Sequence, residues 1–160
     1  MKTNFGFSLI EMIIYVAILV LMLAVVVEVV LSVARNDRII SAVKVIENSA
    51  ITTNERIGRE IREAESVAST TSIFNTHPGK LILTQGSTTT EFYLSNNRIY
   101  LKENGVVMGA LTEADARATS LIFRYYATST SERVRVEMTI EAGTSTHYRV
   151  ENFYSSAVTR

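Results

Sequence analysis

A carboxylate near the start of an otherwise apolar stretch, long enough to cross a bilayer, constrains this chain more than any other feature. Glu11 is followed by sixteen uninterrupted apolar residues, Met12 to Val27, and Val29, Val30 and Leu31 extend the run beyond Glu28. A charge at the bilayer centre costs roughly 2.5–3.5 kcal/mol on insertion scales, so an intramembrane acid points to function by default and needs a partner. A secretory signal peptide fits poorly, because its cleavage site follows the apolar core. Here the polar leader Met1 to Gly6, with Lys2 as its one charge, comes before the core, and beyond Val27 only Ser32-Val33-Ala34 offers a weak cleavage site. A plain membrane anchor would tolerate the run but has no use for Glu11.

The segment Gly6-Phe7-Ser8-Leu9-Ile10-Glu11 resembles the processing site of type IV pilins and type II secretion pseudopilins. Glycine precedes the cut, phenylalanine follows it, glutamate is the fifth residue of the new chain, and an apolar helix continues from there. The resemblance implies cleavage between Gly6 and Phe7 by a prepilin peptidase, N-methylation of the new Phe7 amine, and an assembly salt bridge from Glu11 to the amine of a neighbouring subunit. That pairing is physically reasonable. A free α-amine has a pKa of roughly 7.7–8.0 and is mostly cationic at neutral pH, and buried charges are tolerated only in pairs. Glu11 lies four residues after Phe7, so by sequence it could reach its own amine or that of a neighbour.

Composition is compatible with one head on one membrane helix. The 160 residues carry 16 basic and 16 acidic side chains. This balance argues against a nucleic-acid binder, which would show a basic face. Cysteine is absent, which excludes a disulfide scaffold and thiol chemistry and departs from the many pilins that close their C-terminal region with a disulfide. Lys2 before the span against Arg35 and Arg38 after it gives a weak or contrary positive-inside signal. The resemblance, rather than the charge, places the N-terminus in the cytoplasm. At 1.5 Å per residue, Glu28 falls roughly 31 Å beyond Phe7, near the far edge of a hydrocarbon core of ~30 Å, and reads as an interfacial end of the span. Many pilins carry a helix-kinking proline at the place of Glu28.

Beyond the span the apolar residues Ile39, Val43, Ile46, Ala50, Ile57, Ile61, Ala64 and Ala68 recur in steps of three, four or seven, which marks one helical face. Gly58 is a weak point. The charged run Glu55-Arg56, Arg59-Glu60, Arg62-Glu63 reads as a solvated face with (i, i+4) pairs such as Glu55–Arg59. Ser66 to Gly79, ending at the single proline Pro78, reads as a loop. Strands follow at Leu81–Leu83, Glu91–Leu94, Arg98–Leu101, Val106–Met108, Leu121–Tyr126, Arg133–Glu141 and from Tyr148 through Val150 toward Asn152, with tight turns at Asn96-Asn97 and Asn104-Gly105. Val134, Val136, Met138 and Ile140 should face inward. The expected fold is α+β and pilin-like: one long N-terminal helix, its first half transmembrane, packed against an antiparallel β-sheet head. Its segments are a leader at 1–6, the transmembrane half of the helix at 7–34, and a head at 35–160 with helix to about residue 68. The spacing, with a longer C-terminal hairpin, is similar to that of minor pseudopilins.

Chemistry beyond assembly is sparse. His77 and His147 are far apart, and aspartate occurs only at Asp37 and Asp115. Glu113 and Asp115 could contribute to a calcium loop, but no dense acidic loop supplies the six to eight oxygens calcium takes. No cofactor motif, phosphate loop or nucleophile motif appears, so no catalytic residue, metal or cofactor is expected. Tyr125, Tyr126, Tyr148 and Tyr154 read as amphipathic sheet residues that could also form a sticky surface. The sequence thus points to a non-enzymatic subunit of a type IV pilus-like filament, a minor pilin or pseudopilin of a pilus, DNA-uptake or type II secretion system. Its partners would be the prepilin peptidase, other pilin or pseudopilin subunits, an inner-membrane assembly platform and the lipid bilayer. Its head would lie outside the cytoplasm. The alternative is a single-pass anchored periplasmic binding domain that does not polymerise.

Overall fold

The computed structural model describes residues 8–128, 131–143 and 148–160. One α-helix, α1, runs from Leu9 to Glu63 over 55 residues, passing Gly58 without a break. The chain divides into two compact units, Met1–Arg38 and Ile39–Arg160. The second unit contains the rest of α1 and eight strands: β1 (Ser66–Val67), β2 (Lys80–Gln85), β3 (Thr88–Ser95), β4 (Arg98–Glu103), β5 (Val106–Ala110), β6 (Ala116–Ala127), β7 (Glu132–Ala142) and β8 (Arg149–Val158).

The fold is α+β as expected, but the strands form two antiparallel sheets rather than one meander. The first has the order β1-β2-β3-β4-β5 and the second β6-β7-β8. The change of sheet occurs after β5. Thr112 turns the chain back across β4: its Oγ1 accepts from the Ile99 N–H at 3.4 Å and its carbonyl accepts from Arg98 at 2.7 Å.

Two hairpins are closed by residues with positive φ. Asn96 (49°) and Asn97 (58°) join β3 to β4, and Asn104 (48°) and Gly105 (85°) join β4 to β5, the backbone that two-residue hairpin loops require. The helix ends at Glu63, short of the expected Ala68. The Ala64 N–H still reaches the Glu60 carbonyl, but the Glu65 N–H bonds to the Thr84 carbonyl, and Ser66–Val67 pair with β2 instead of continuing the helix. The segment expected as a plain loop is tied down as well. Asn75 and Gly79 donate to the carbonyls of Phe123 and Leu121, at 2.9 and 2.8 Å. Gly79 must be small: a Cβ there would sit 3.0 Å from the Leu121 oxygen and 3.1 Å from the Phe123 ring.

One core joins α1 to both sheets. Ile46, Ile57 and Ile61 of the helix are fully buried together with Leu81, Phe92 and Ile99 of the first sheet and Phe123, Val134 and Ile140 of the second. Each such side chain contributes roughly 1.5–3 kcal/mol on burial. The buried stripe of α1 is broader than its apolar pattern: it includes Ala42, Ser49 and Thr53, while Val43 is only half-buried. All four expected inward residues of β7 (Val134, Val136, Met138 and Ile140) are buried. The last strand runs further than expected, to Val158.

Candidate functional site in the apolar helix

Ser8 opens the helix, its carbonyl accepting from the N–H groups of Glu11 and Met12 at 3.0 and 3.2 Å. Glu11 therefore lies in the first turn, where free N–H groups and the helix dipole favour a carboxylate. Gly6 and Phe7, the expected cleavage and N-methylation positions, lie outside the described residues. The Tyr15 hydroxyl donates to Glu11 Oε1 at 3.4 Å. Sequence reasoning missed this partner, although the (i, i+4) spacing on one helical face could have revealed it. Tyr15 sits one turn after Glu11.

From Leu9 to Val33 every large apolar side chain is exposed. A helix that is apolar all round needs an apolar surrounding, either a protein core or lipid. This helix is long and apolar enough to cross a membrane, and the qualifying stretch has no residue buried within the chain. Glu28 is exposed as well, about 26 Å along the axis from Glu11 at 1.5 Å per residue.

The charged groups of the head hold the fold together. In the run Glu55–Glu63 the (i, i+4) pair among the described residues is Arg56–Glu60, at 3.0 Å, rather than Glu55–Arg59. Arg56 also reaches Glu103 on β4 at 2.8 Å, so this stretch is anchored to the first sheet instead of simply solvated. Arg124 grips Glu137 with two bonds of 2.7 and 3.0 Å. This hydrogen-bonded ion pair holds the Glu137 carboxyl below the usual carboxylate range and raises Arg124 further.

Glu132 accepts from the Val67 N–H at 2.7 Å and from the Tyr125 hydroxyl at 2.5 Å. Donating to a carboxylate raises the Tyr125 phenol above its ordinary value. Tyr148 is raised in the same way by its bond to Glu141. The four tyrosines read as amphipathic sheet residues take separate roles. Tyr125 stacks on Phe74 with ring centroids 5.1 Å apart, Tyr148 is engaged with Glu141, and Tyr126 and Tyr154 stay open to solvent.

His77 uses Nδ1 to accept the Leu121 N–H at 3.2 Å, a structural role. His147 lies outside the described residues. The Glu113 N–H donates to Ser49 Oγ at 3.1 Å, and Glu113 and Asp115 are both exposed. Among the described residues no three His, Asp or Glu side chains converge as metal ligands.

Residues 1–27 match the family described as the prokaryotic N-terminal methylation motif. No curated protein and no solved structure matches the chain. The match covers the expected leader, Glu11 and most of the apolar run, and the chain beyond it has the helix-on-sheet architecture built above. The chain thus carries the type IV pilin and pseudopilin signal at its N-terminus, on an α+β fold of pilin-like architecture.

Proposed function

We propose that this chain is a non-enzymatic structural subunit of a type IV pilus-like filament, a minor pilin or pseudopilin of a pilus, DNA-uptake or secretion machine. The methylation motif at residues 1–27, leading directly into a helix with apolar surface on every side, carries this reading. Residues 1–6 are a leader, and a prepilin peptidase cuts between Gly6 and Phe7. The Phe7 amine is then methylated. The helix to about residue 34 is held in the inner membrane, with the remaining residues outside the cytoplasm, until other pilin subunits and an inner-membrane platform draw the subunit into the filament. Glu11 supplies the counter-charge for a neighbour's Phe7 amine, the one charged group that processing creates inside the apolar layer. Tyr15 supports the reading by giving the carboxylate a hydrogen bond before a neighbour arrives.

Intact-mass measurement of the membrane-extracted protein tests the first step. The expected species begins at Phe7 and carries one added methyl group. Gly6→Val adds bulk at the cut and leaves the leader in place. An unmodified Met1 start in cells with an active peptidase would overturn the filament reading and leave the anchored, non-polymerising domain in its stead.

A further inference from the structure

We infer that the solvent face of the β6–β7–β8 sheet is a binding platform for a single-stranded nucleic acid. Strand alternation buries Phe123, Val134 and Val136 and turns their neighbours outward. The register then sets these neighbours side by side. Tyr126 pairs with Arg133, Arg124 with Arg135 and Arg135 with Ser156, and Glu137 with Tyr154. With strands about 4.8 Å apart and a rise of about 3.4 Å per residue, the backbones of Tyr126 and Tyr154 stand about 17 Å apart at opposite corners of this grid, with the arginines between them. Both rings are open, Tyr126 at 53% and Tyr154 at 62% exposure.

Charge on this face is unbalanced. Arg117 and Glu141 offset each other at one end, at 3.5 Å, but the group Arg124, Arg133 and Arg135 shares one carboxylate, Glu137, which is bonded twice by Arg124 and approached by Arg135 at 3.1 Å. Among the described residues Arg133 bonds only to Ser156 Oγ, at 3.0 Å. The Arg135 guanidinium is also steadied over the Tyr154 ring, 5.4 Å from its centroid. Two shallow grooves meet at Arg133, one running to Tyr154 and the other to Tyr126.

The arginine forks are therefore held in place with donors to spare, and a fixed planar fork matches a phosphate. Open aromatic rings flanking such cations provide stacking surfaces for bases, a combination that binds single strands without reading their sequence. A folded head gains little from leaving two tyrosines exposed on one open sheet beside Arg133, which has no carboxylate partner among the described residues. The zero net charge of the whole chain does not oppose this, because the imbalance is local to one face. The inference rests on the second sheet alone and stands or falls independently of filament assembly.

The test is fluorescence anisotropy of a dye-labelled oligothymidylate titrated with the full-length chain in detergent micelles. Saturable binding is expected at low salt, weakening as salt rises. The log–log slope should be about −1.4, from about −0.7 for each of two phosphate contacts. Arg133→Ala and Arg135→Ala should each reduce that slope by about 0.7, and Arg133→Lys should keep it. Tyr126→Ala and Tyr154→Ala should weaken binding by about fivefold to a hundredfold, whereas Tyr154→Phe keeps the ring and the affinity. Arg117→Ala, on β6 but away from the arginine group, should change nothing. Circular dichroism identifies any variant that fails to fold, and the lysine and phenylalanine variants keep the test decisive in that case. Absence of binding at low salt overturns the inference. So does binding unaffected by the tyrosine variants and equally strong for dextran sulfate, which would make the face a general polyanion sink.

Discussion

Thr53 is fully buried on α1, and its Oγ1 has no hydrogen-bond partner among the described residues. A buried hydroxyl left unsatisfied costs about 1–3 kcal/mol, so Thr53→Val, nearly the same shape, should raise stability by about 1 kcal/mol or more. Ser49, one turn earlier, is the opposite case. Its Oγ accepts the Glu113 N–H, and Ser49→Ala would leave that amide unsatisfied and lower stability by about 1 kcal/mol. Thermal unfolding of both variants checks the pair; a lower midpoint for Thr53→Val would mean that its hydroxyl is satisfied after all. Two hydrogen-bonded groups contribute to the pH dependence of stability. The Glu137 carboxyl is depressed by its bond to Arg124, so its contribution is fully present above the ordinary carboxylate range and is lost as pH falls through the folded-state value. The Tyr125 phenol is raised by its bond to Glu132, so its contribution is full below about 10, the usual tyrosine value, and is lost as pH rises through the folded-state value. Glu137→Gln should flatten the acid side of a stability–pH curve and leave the alkaline side unchanged; an unaltered acid side would show that the Arg124 pair contributes nothing there.

At the scale of elements, β7 is the central strand of its sheet and presents Val134, Val136, Met138 and Ile140 to the core. Val136→Asp would place an unpaired carboxylate among Phe123, Val134 and the helix residues, and its cost should reach about 4 kcal/mol or more, the far tail of single substitutions. A cooperative unfolding transition for this variant at the wild-type midpoint would show that the inward face is wrongly assigned. This strand was legible in the sequence because alternation is a local signal and β7 alternates along nearly its whole length. The Asn96-Asn97 and Asn104-Gly105 turns were legible for the same reason: the positive φ each needs is written in the residue type. The split into two sheets was not. It depends on Thr112 capturing the end of β4 and on the Ala118 N–H bonding to the Asn97 carbonyl, contacts between distant residues with no periodic signature. The early end of α1 was hidden likewise, since Ser66 and Val67 leave the helix only because β2 offers a pairing edge.

Across the whole molecule, the two candidate sites differ in how they are encoded. The N-terminal one is contiguous, so Gly6, Phe7 and Glu11 could be read directly from the chain. The arginine–tyrosine face is assembled by register from three strands and stays invisible until β6, β7 and β8 are laid side by side; the balanced total charge even argued against it. The contiguous site yields the prediction that most directly tests assembly. Glu11→Ala should leave the head folded, because the head's core begins at Ala42. Membrane insertion should persist or improve, since a charge costing roughly 2.5–3.5 kcal/mol in lipid is removed. Cleavage should persist as well, because the proposed cut lies four residues upstream in the sequence. Incorporation into filaments should fall, since a neighbour's cationic Phe7 amine would enter the apolar layer without a counter-charge. Breaking a buried pair in this way costs about 3–5 kcal/mol. Glu11→Gln should rescue only partly, accepting a hydrogen bond without supplying charge. Tyr15→Phe should have the smaller effect, because the hydrogen bond it gives Glu11 is long, 3.4 Å, and the carboxylate stays in place. Crosslinking of processed subunits in sheared filaments, at matched membrane abundance, measures all three. Wild-type incorporation of Glu11→Ala would mean that the carboxylate is not the assembly contact and that the amine finds its counter-charge elsewhere.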